Sequence, residues 1–168
     1  MRGAGSLVIA VALAALAGCG PPNAQWGGQS PPRPADIVDR IEILSLPVAI
    51  NLDNVQGADG VRLQVYLFQY AQAEPVTAAG TLEFLLFDRK LGSGEAYAAE
   101  PFHAWSFQGE TLAKYLARSM IGWNYSVELR WGDDKRPASA TVTVLVRYTP
   151  PAGQPVYSSP VMISMGSR

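Results

Sequence analysis

The chain has 168 residues, of which 48% are hydrophobic and 16% charged, and its formal net charge is −1 at pH 7. Such a balance builds no clustered positive field for nucleic acid, and the length supports one domain. With a single cysteine, no intramolecular disulfide is possible, so an exported form must be held together by its own core.

The chain opens on one positive charge, Arg2, then an apolar run from Leu7 to Leu16, then the tetrad Leu16-Ala17-Gly18-Cys19. A basic start, about ten apolar residues and a small-residue processing site have the form of a secretory signal. A membrane-spanning helix needs roughly 20 apolar residues, so this run is too short to be one. The tetrad resembles the lipobox of bacterial lipoproteins, and the resemblance is confined to residues 1–19. It implies that the Cys19 thiol receives a diacylglyceryl group, that a peptidase cuts before Cys19, and that the freed amine takes a further fatty chain such as palmitate. Small Ala17 and Gly18 give the peptidase access to the backbone, and a thiol is needed for the thioether. One acyl chain binds a membrane only marginally, whereas two or three on Cys19 suffice for stable anchoring. In lipoproteins of double-membraned bacteria an Asp after the cysteine favours the inner membrane, so Gly20 implies the outer membrane, with the domain facing the periplasm or the exterior. Residues 1–18 are then a signal peptide, and with Cys19 lipidated no thiol remains for redox or metal chemistry.

Residues 19–36 read as the lipidated cysteine and a tether. The stretch from Gly20 to Asp36, GPPNAQWGGQSPPRPAD, has Trp26 as its one large apolar group and cannot make a packed core. Its proline-rich pieces are stiff and extended, and Gly27-Gly28 is a soft joint. At about 3.3 Å per residue it reaches up to roughly 55 Å from the lipid.

Over residues 37–168 the pattern changes to period two. In Val61-Arg62-Leu63-Gln64-Val65-Tyr66-Leu67 the odd positions are aliphatic. Tyr125, Val127, Leu129 and Trp131 alternate with Asn124, Ser126, Glu128 and Arg130, and Val142, Val144, Val146 and Tyr148 with Thr141, Thr143 and Arg147, Leu145 being the exception. Such alternation marks half-buried strands. Less regular stretches run over Ile37–Leu46, Val48–Leu52, Thr81–Phe87 and Val161–Met165, and Phe84-Leu85-Leu86-Phe87 suits a central strand covered on both sides. In Glu110–Ile121 the apolar residues Leu112, Tyr115, Leu116 and Met120 recur at helical spacing, with Gly122 placed to end a helix. The expected fold is an all-β antiparallel sandwich with one short helix in a crossover. It is similar to immunoglobulin-like or fibronectin-like sandwiches in architecture only, without their inter-sheet cysteines. The alternative is a small, partly open β-barrel.

Candidate chemistry is sparse. His103 is the sole histidine, and metal or catalytic sites need several convergent donors, so it reads as a loop or core-edge residue. There is no G-x-S-x-G elbow, no S-x-x-K tetrad, no phosphate loop and no dinucleotide fingerprint. Asp133-Asp134 read as turn residues. Asn51, Asp53, Asn54 and Asp59 bring oxygens together, but at no calcium-loop spacing, and the preferred reading is that they satisfy backbone donors. No catalytic residue, metal site or cofactor is expected. Of the aromatic cluster Phe102, Trp105, Phe107, Tyr115, Trp123, Tyr125 and Trp131, most read as core. Only Trp105 and Trp123, placed in loops, are candidates to contact a ligand. The functional expectation is a non-enzymatic binding or assembly module, held to the membrane by its N-terminal lipid, whose partner is an envelope protein or a glycan and not nucleic acid. The alternative is a glycan-binding module using Trp105 or Trp123.

Overall fold

A computed structural model describes residues 30–53, 55–70, 72–132 and 135–166. The signal segment, Cys19 and Trp26 lie outside the described residues, as do Asn54, Asp133 and Asp134. Among the described residues there are nine strands: β1 (Arg40–Ser45), β2 (Gly60–Phe68), β3 (Thr81–Phe87), β4 (His103–Gln108), β5 (Leu116–Arg118), β6 (Trp123–Arg130), β7 (Thr141–Thr149), β8 (Val156–Tyr157) and β9 (Val161–Ser164). Two short helices join them, α1 (Ser93–Ala96) and α2 (Gly109–Ala113).

The first sheet has the order β1-β2-β6-β5 and the second β4-β3-β7-β8, with β9 also on β7. All pairs between these strands are antiparallel. In chain order this is the immunoglobulin arrangement, with β1, β2, β6 and β5 facing a sheet centred on β3 and β7. The sheets keep separate edges, so the expected sandwich is formed and the alternative barrel is not.

Alternation along the central strands explains the packing. Val61, Leu63 and Val65 of β2 lie opposite Leu129, Val127 and Tyr125 of β6. Across the sandwich, Leu82, Phe84 and Leu86 of β3 lie opposite Tyr148, Val146 and Val144 of β7. All twelve are buried in one continuous core, and each such aliphatic side chain contributes about 1.5–3 kcal/mol. The other face of β3 is covered as well. Leu85 and Phe87, with Leu145 of β7, pack against Leu91 and Ala96 of the β3–β4 connection in a second, smaller cluster. The Leu145 exception in the alternation is the β7 contribution to that cluster. Thr143, fully buried on the same face, donates to the Arg89 carbonyl at 2.7 Å and accepts from the Leu91 amide at 3.0 Å, which clamps the connection down.

Several local expectations are corrected. The helix expected over Glu110–Ile121 ends at Ala113, and Leu116–Arg118 is a strand instead. The free edge of β6 supplies the reason: Leu116, Ala117 and Arg118 pair with Tyr125, Asn124 and Trp123. Met120, meant for the apolar stripe, is fully exposed. Gly122, at φ +133°, closes the β5–β6 hairpin rather than a helix. The helix expected in one crossover is therefore α2, five residues long, and α1 is an additional short helix in the β3–β4 connection. Val48–Leu52 is not a strand but makes two isolated bridges, Val48 to Ser164 and Ile50 to Gly60. His103–Gln108, without a strand expectation, is the edge strand β4. The break between β8 and β9 at Pro160 is bridged by Ser158, whose hydroxyl accepts from the Val146 amide at 3.0 Å.

Attachment of the N-terminal segment begins before Ile37. The Ala35 amide donates to the Thr77 carbonyl at 2.8 Å, and the Thr77 hydroxyl donates to the Pro32 carbonyl at 3.2 Å. Both contacts lie at the end of the sandwich where β2 finishes and β6 begins, called here the entry end.

Candidate interaction surfaces

Trp105 is not in a loop. It lies in β4, opposite Phe84 of β3, and packs half-buried against the main core. Its indole N–H donates to the Arg130 carbonyl at the end of β6, at 3.2 Å. That bond ties the edge of one sheet to the other, and the ring stacks on His103 with centroids 4.4 Å apart. A ring bonded to the opposite sheet and packed on the core is placed for cohesion. Next along β4, Phe107 meets Phe84 and Tyr115 at 5.8 and 4.8 Å, extending the core under α2.

The acidic loop is spent on its own backbone. The Asp59 carboxylate accepts from the Leu52 amide at 2.7 Å, the Asp53 carboxylate from the Val55 amide at 2.8 Å, and the Asn51 side-chain oxygen from the Asp53 amide at 3.2 Å. Among the described residues, no group of three or more His, Cys, Asp or Glu side chains converges as metal ligands would.

Trp131, 4% exposed, packs in the core as the alternation expects. Its indole N–H has no hydrogen-bond partner among the described residues, and the residue lines a cavity of about 180 Å³ shared with Asp53, Asp59 and Arg136. Gly57 is required there: at φ +115°, a Cβ on it would fall onto the Arg136 guanidinium. Deeper in the core, burial pushes the Tyr125 hydroxyl above its ordinary pKa, and its hydrogen bond from the Ala78 amide at 2.8 Å opposes that rise. Burial also raises Tyr148.

Trp123 is the candidate that the structure does bring to a cavity. It opens β6, not a loop, and is half-buried. The Arg118 guanidinium of β5 sits 5.6 Å from its ring centroid. Both line a groove of about 940 Å³ at the entry end, whose other walls are the N-terminal segment from Ser30 to Ile37, the β2–β3 connection and the β5–β6 turn. A stacked guanidinium favours the ring by cation–π attraction and offers planar donors beside it.

A second surface carries no sequence expectation. Ile41 and Ile43 of edge strand β1 face the core, while Leu44 points out, and Leu46 and Val48 follow, all three exposed. Val48 bridges Ser164 of β9, two residues from exposed Met162. The flank where β1 meets β9 thus presents apolar side chains beside an edge strand six residues long. Isolated exposed apolar residues are ordinary; a series of them along and just past an edge strand marks an interaction surface. The sequence signal is the pair of less regular apolar stretches Ile37–Leu46 and Val48–Leu52, whose pattern predicts strands without telling which residues are exposed.

By contrast, the outward faces of the sheets are self-satisfied. Arg147 and Glu83, directly opposite across β7 and β3, form a bidentate pair at 2.6 and 2.8 Å. That contact holds the guanidinium firmly protonated, with the Tyr157 hydroxyl adding to the effect. Arg62 and Glu128 pair across β2 and β6, two guanidinium donors meeting one carboxylate oxygen.

No family model, curated protein or solved structure matches the chain.

Proposed function

We propose that the protein is a lipid-anchored bacterial envelope lipoprotein, outer-membrane bound through Cys19, acting as a non-enzymatic binding or assembly module. The observation that carries the binding reading is the β1–β9 flank. Leu44, Leu46, Val48 and Met162 are exposed along and just past β1, whose outer edge pairs with no further strand among the described residues. Such a flank fits an envelope protein that adds an extended segment to the strand, with backbone bonds giving affinity and the apolar side chains giving register. The signal run, the lipobox resemblance and the tether support the envelope location.

The test is site-specific photo-crosslinking in intact cells. A crosslinker at Leu44 or Val48 captures a discrete partner, whereas one at Glu128, on the outward face of the first sheet, does not. With the crosslinker at exposed Leu46, the double variant Leu44→Asp/Val48→Asp loses capture while keeping its fold, because both side chains are already exposed. Equal capture from Glu128, or capture that survives the double variant, rejects the flank.

One observation favours the glycan alternative: the Trp123 ring on the groove with Arg118 against it. Binding on a glycan array that Trp123→Ala abolishes would establish that reading in place of the flank.

A further inference from the structure

The β5–β6 hairpin has an anomalous tip. Ser119 and Gly122 exchange backbone hydrogen bonds at 2.9 and 3.2 Å, leaving Met120 and Ile121 as a two-residue loop. Loops of that length ordinarily take Asn-Gly, Asp-Gly or Gly-rich pairs, since these residues accept the turn's backbone angles and tolerate water. Here two large apolar residues hold the positions. Met120 is 104% exposed relative to the reference and Ile121 53%.

The tip is rigidly held. The Ser119 hydroxyl meets the buried Tyr66 hydroxyl at 3.0 Å and accepts from the Ile121 amide at 3.2 Å. Gly122 rests so close to Pro75 of the β2–β3 connection that a Cβ would lie 2.7 Å from its ring. Met120 and Ile121 are therefore presented to the outside on a backbone that is already held, so contact orders little beyond their side chains. Ile37 and Tyr70, exposed at 62% and 87%, stand at the same end. The amide of Tyr70 is bonded to the Asp39 carboxylate at 3.0 Å, which places it beside the start of β1.

Where the anchor lies identifies what covers this patch. Ser30 lines the groove at the entry end, as do Gly122 and Trp123. Cys19 precedes Ser30 by eleven residues, a span of at most about 40 Å even when fully extended. The end that presents Met120, Ile121, Ile37 and Tyr70 is thus the end nearest the lipidated cysteine along the chain.

We propose that the entry end docks on the bilayer surface, with Met120 and Ile121 entering the interfacial layer and Ile37 and Tyr70 resting at headgroup level. The occupant is lipid, and the proposal rests on lipidation at Cys19. The long axes of β1 and β9 then run away from the membrane, leaving the flank between them open to a partner.

The experiment uses the full, processed chain reconstituted in phosphatidylethanolamine–phosphatidylglycerol vesicles, with a polarity-sensitive fluorophore on one introduced thiol. Met120→Cys probes the tip, and Lys135→Cys, in the β6–β7 connection at the opposite end, serves as the comparison. Flotation is measured on the same samples. The expected result is a blue-shifted label at position 120, quenched by nitroxide-bearing lipid, and an unshifted, unquenched label at position 135. Ile121→Asp in the Met120→Cys background should abolish the quenching while the protein still floats. A chain that does not float defeats the anchor and the docking together. A chain that floats with no quenching at position 120 defeats the docking alone. A blue shift at position 120 without quenching by nitroxide lipid means that protein covers the tip, and overturns the proposal.

Discussion

The two apolar clusters of the second sheet differ in kind. The inner one lies between the sheets and draws on both, from Leu63 and Val127 on one side to Phe84 and Val144 on the other. The outer one is a lid: Leu91 and Ala96 of the β3–β4 connection cover Leu85, Phe87 and Leu145. The inner cluster is closed by strands with ladder hydrogen bonds, the outer by a connection held through side-chain bonds at Asp88, Thr143 and Tyr97. The comparison teaches that one strand can serve two cores, and that their cohesion need not be equal. Loss of the inner cluster should unfold the domain, while loss of the outer one should open a segment.

The largest effect is expected from Val144→Asp. It places an unpaired carboxylate among fully buried apolar side chains, a severe change. Circular dichroism and yield should show a domain that does not fold, and a well-folded variant would break the account of the inner core. Trp131→Ala should cost about 3–5 kcal/mol in chemical denaturation, the range for removing a large buried aromatic. Leu91→Ala should cost about 2 kcal/mol or somewhat more. Its signature is faster amide exchange across residues 88–102 with β2 and β6 still protected. Uniform loss of protection would merge the two clusters into one cooperative unit. Thr143→Val removes both clamp bonds and should cost about 1–3 kcal/mol, with the same localised exchange.

Alkaline pH probes the inner cluster alone. Tyr125 and Tyr148 lie in it, and burial raises both above the ordinary value of 10.0. Their protonated forms are therefore favoured in the folded state. The stability they support is fully present below pH 10.0 and is lost as the pH climbs through the raised folded values. Denaturation midpoints should fall above pH 10 and stay level below it from this cause, and Tyr125→Phe should blunt the fall. The smallest effect is expected at Trp123, which is half-buried at the groove. Trp123→Ala should cost less than Trp131→Ala, and a cost equal to it would place Trp123 among the structural rings.

Much of this architecture was legible in the chain. Alternation at Val61–Leu67, Tyr125–Trp131 and, Leu145 apart, Val142–Tyr148 marks residues with one face on a core, and these form β2, β6 and β7. The double-sided run Phe84–Phe87 and the misfit Leu145 already encoded the outer cluster, though not which segment would cover it. The helix was over-read because Leu112, Tyr115 and Leu116 fit a helical stripe equally well as a short turn followed by a strand. The unfilled edge of β6, invisible to local periodicity, decided the matter. Strand β4 was missed because its inward residues are His103, Trp105 and Phe107 rather than aliphatics, although they alternate at period two. The role of Trp105 depends on the Arg130 carbonyl of the other sheet, a partner that no local pattern announces. The β1–β9 flank was equally hidden, since exposure at Leu44 and Val48 follows from which strands fail to gain a neighbour.

The anchor decides whether the rest of the reading stands. Cells expressing the full chain, fed a clickable fatty acid, should show one labelled species that is shorter than the precursor and partitions with membranes. Cys19→Ser should remain at precursor length and unlabelled, because the one thiol able to form the thioether is gone. A Cys19→Ser chain that still matures and stays with the membrane would contradict the account.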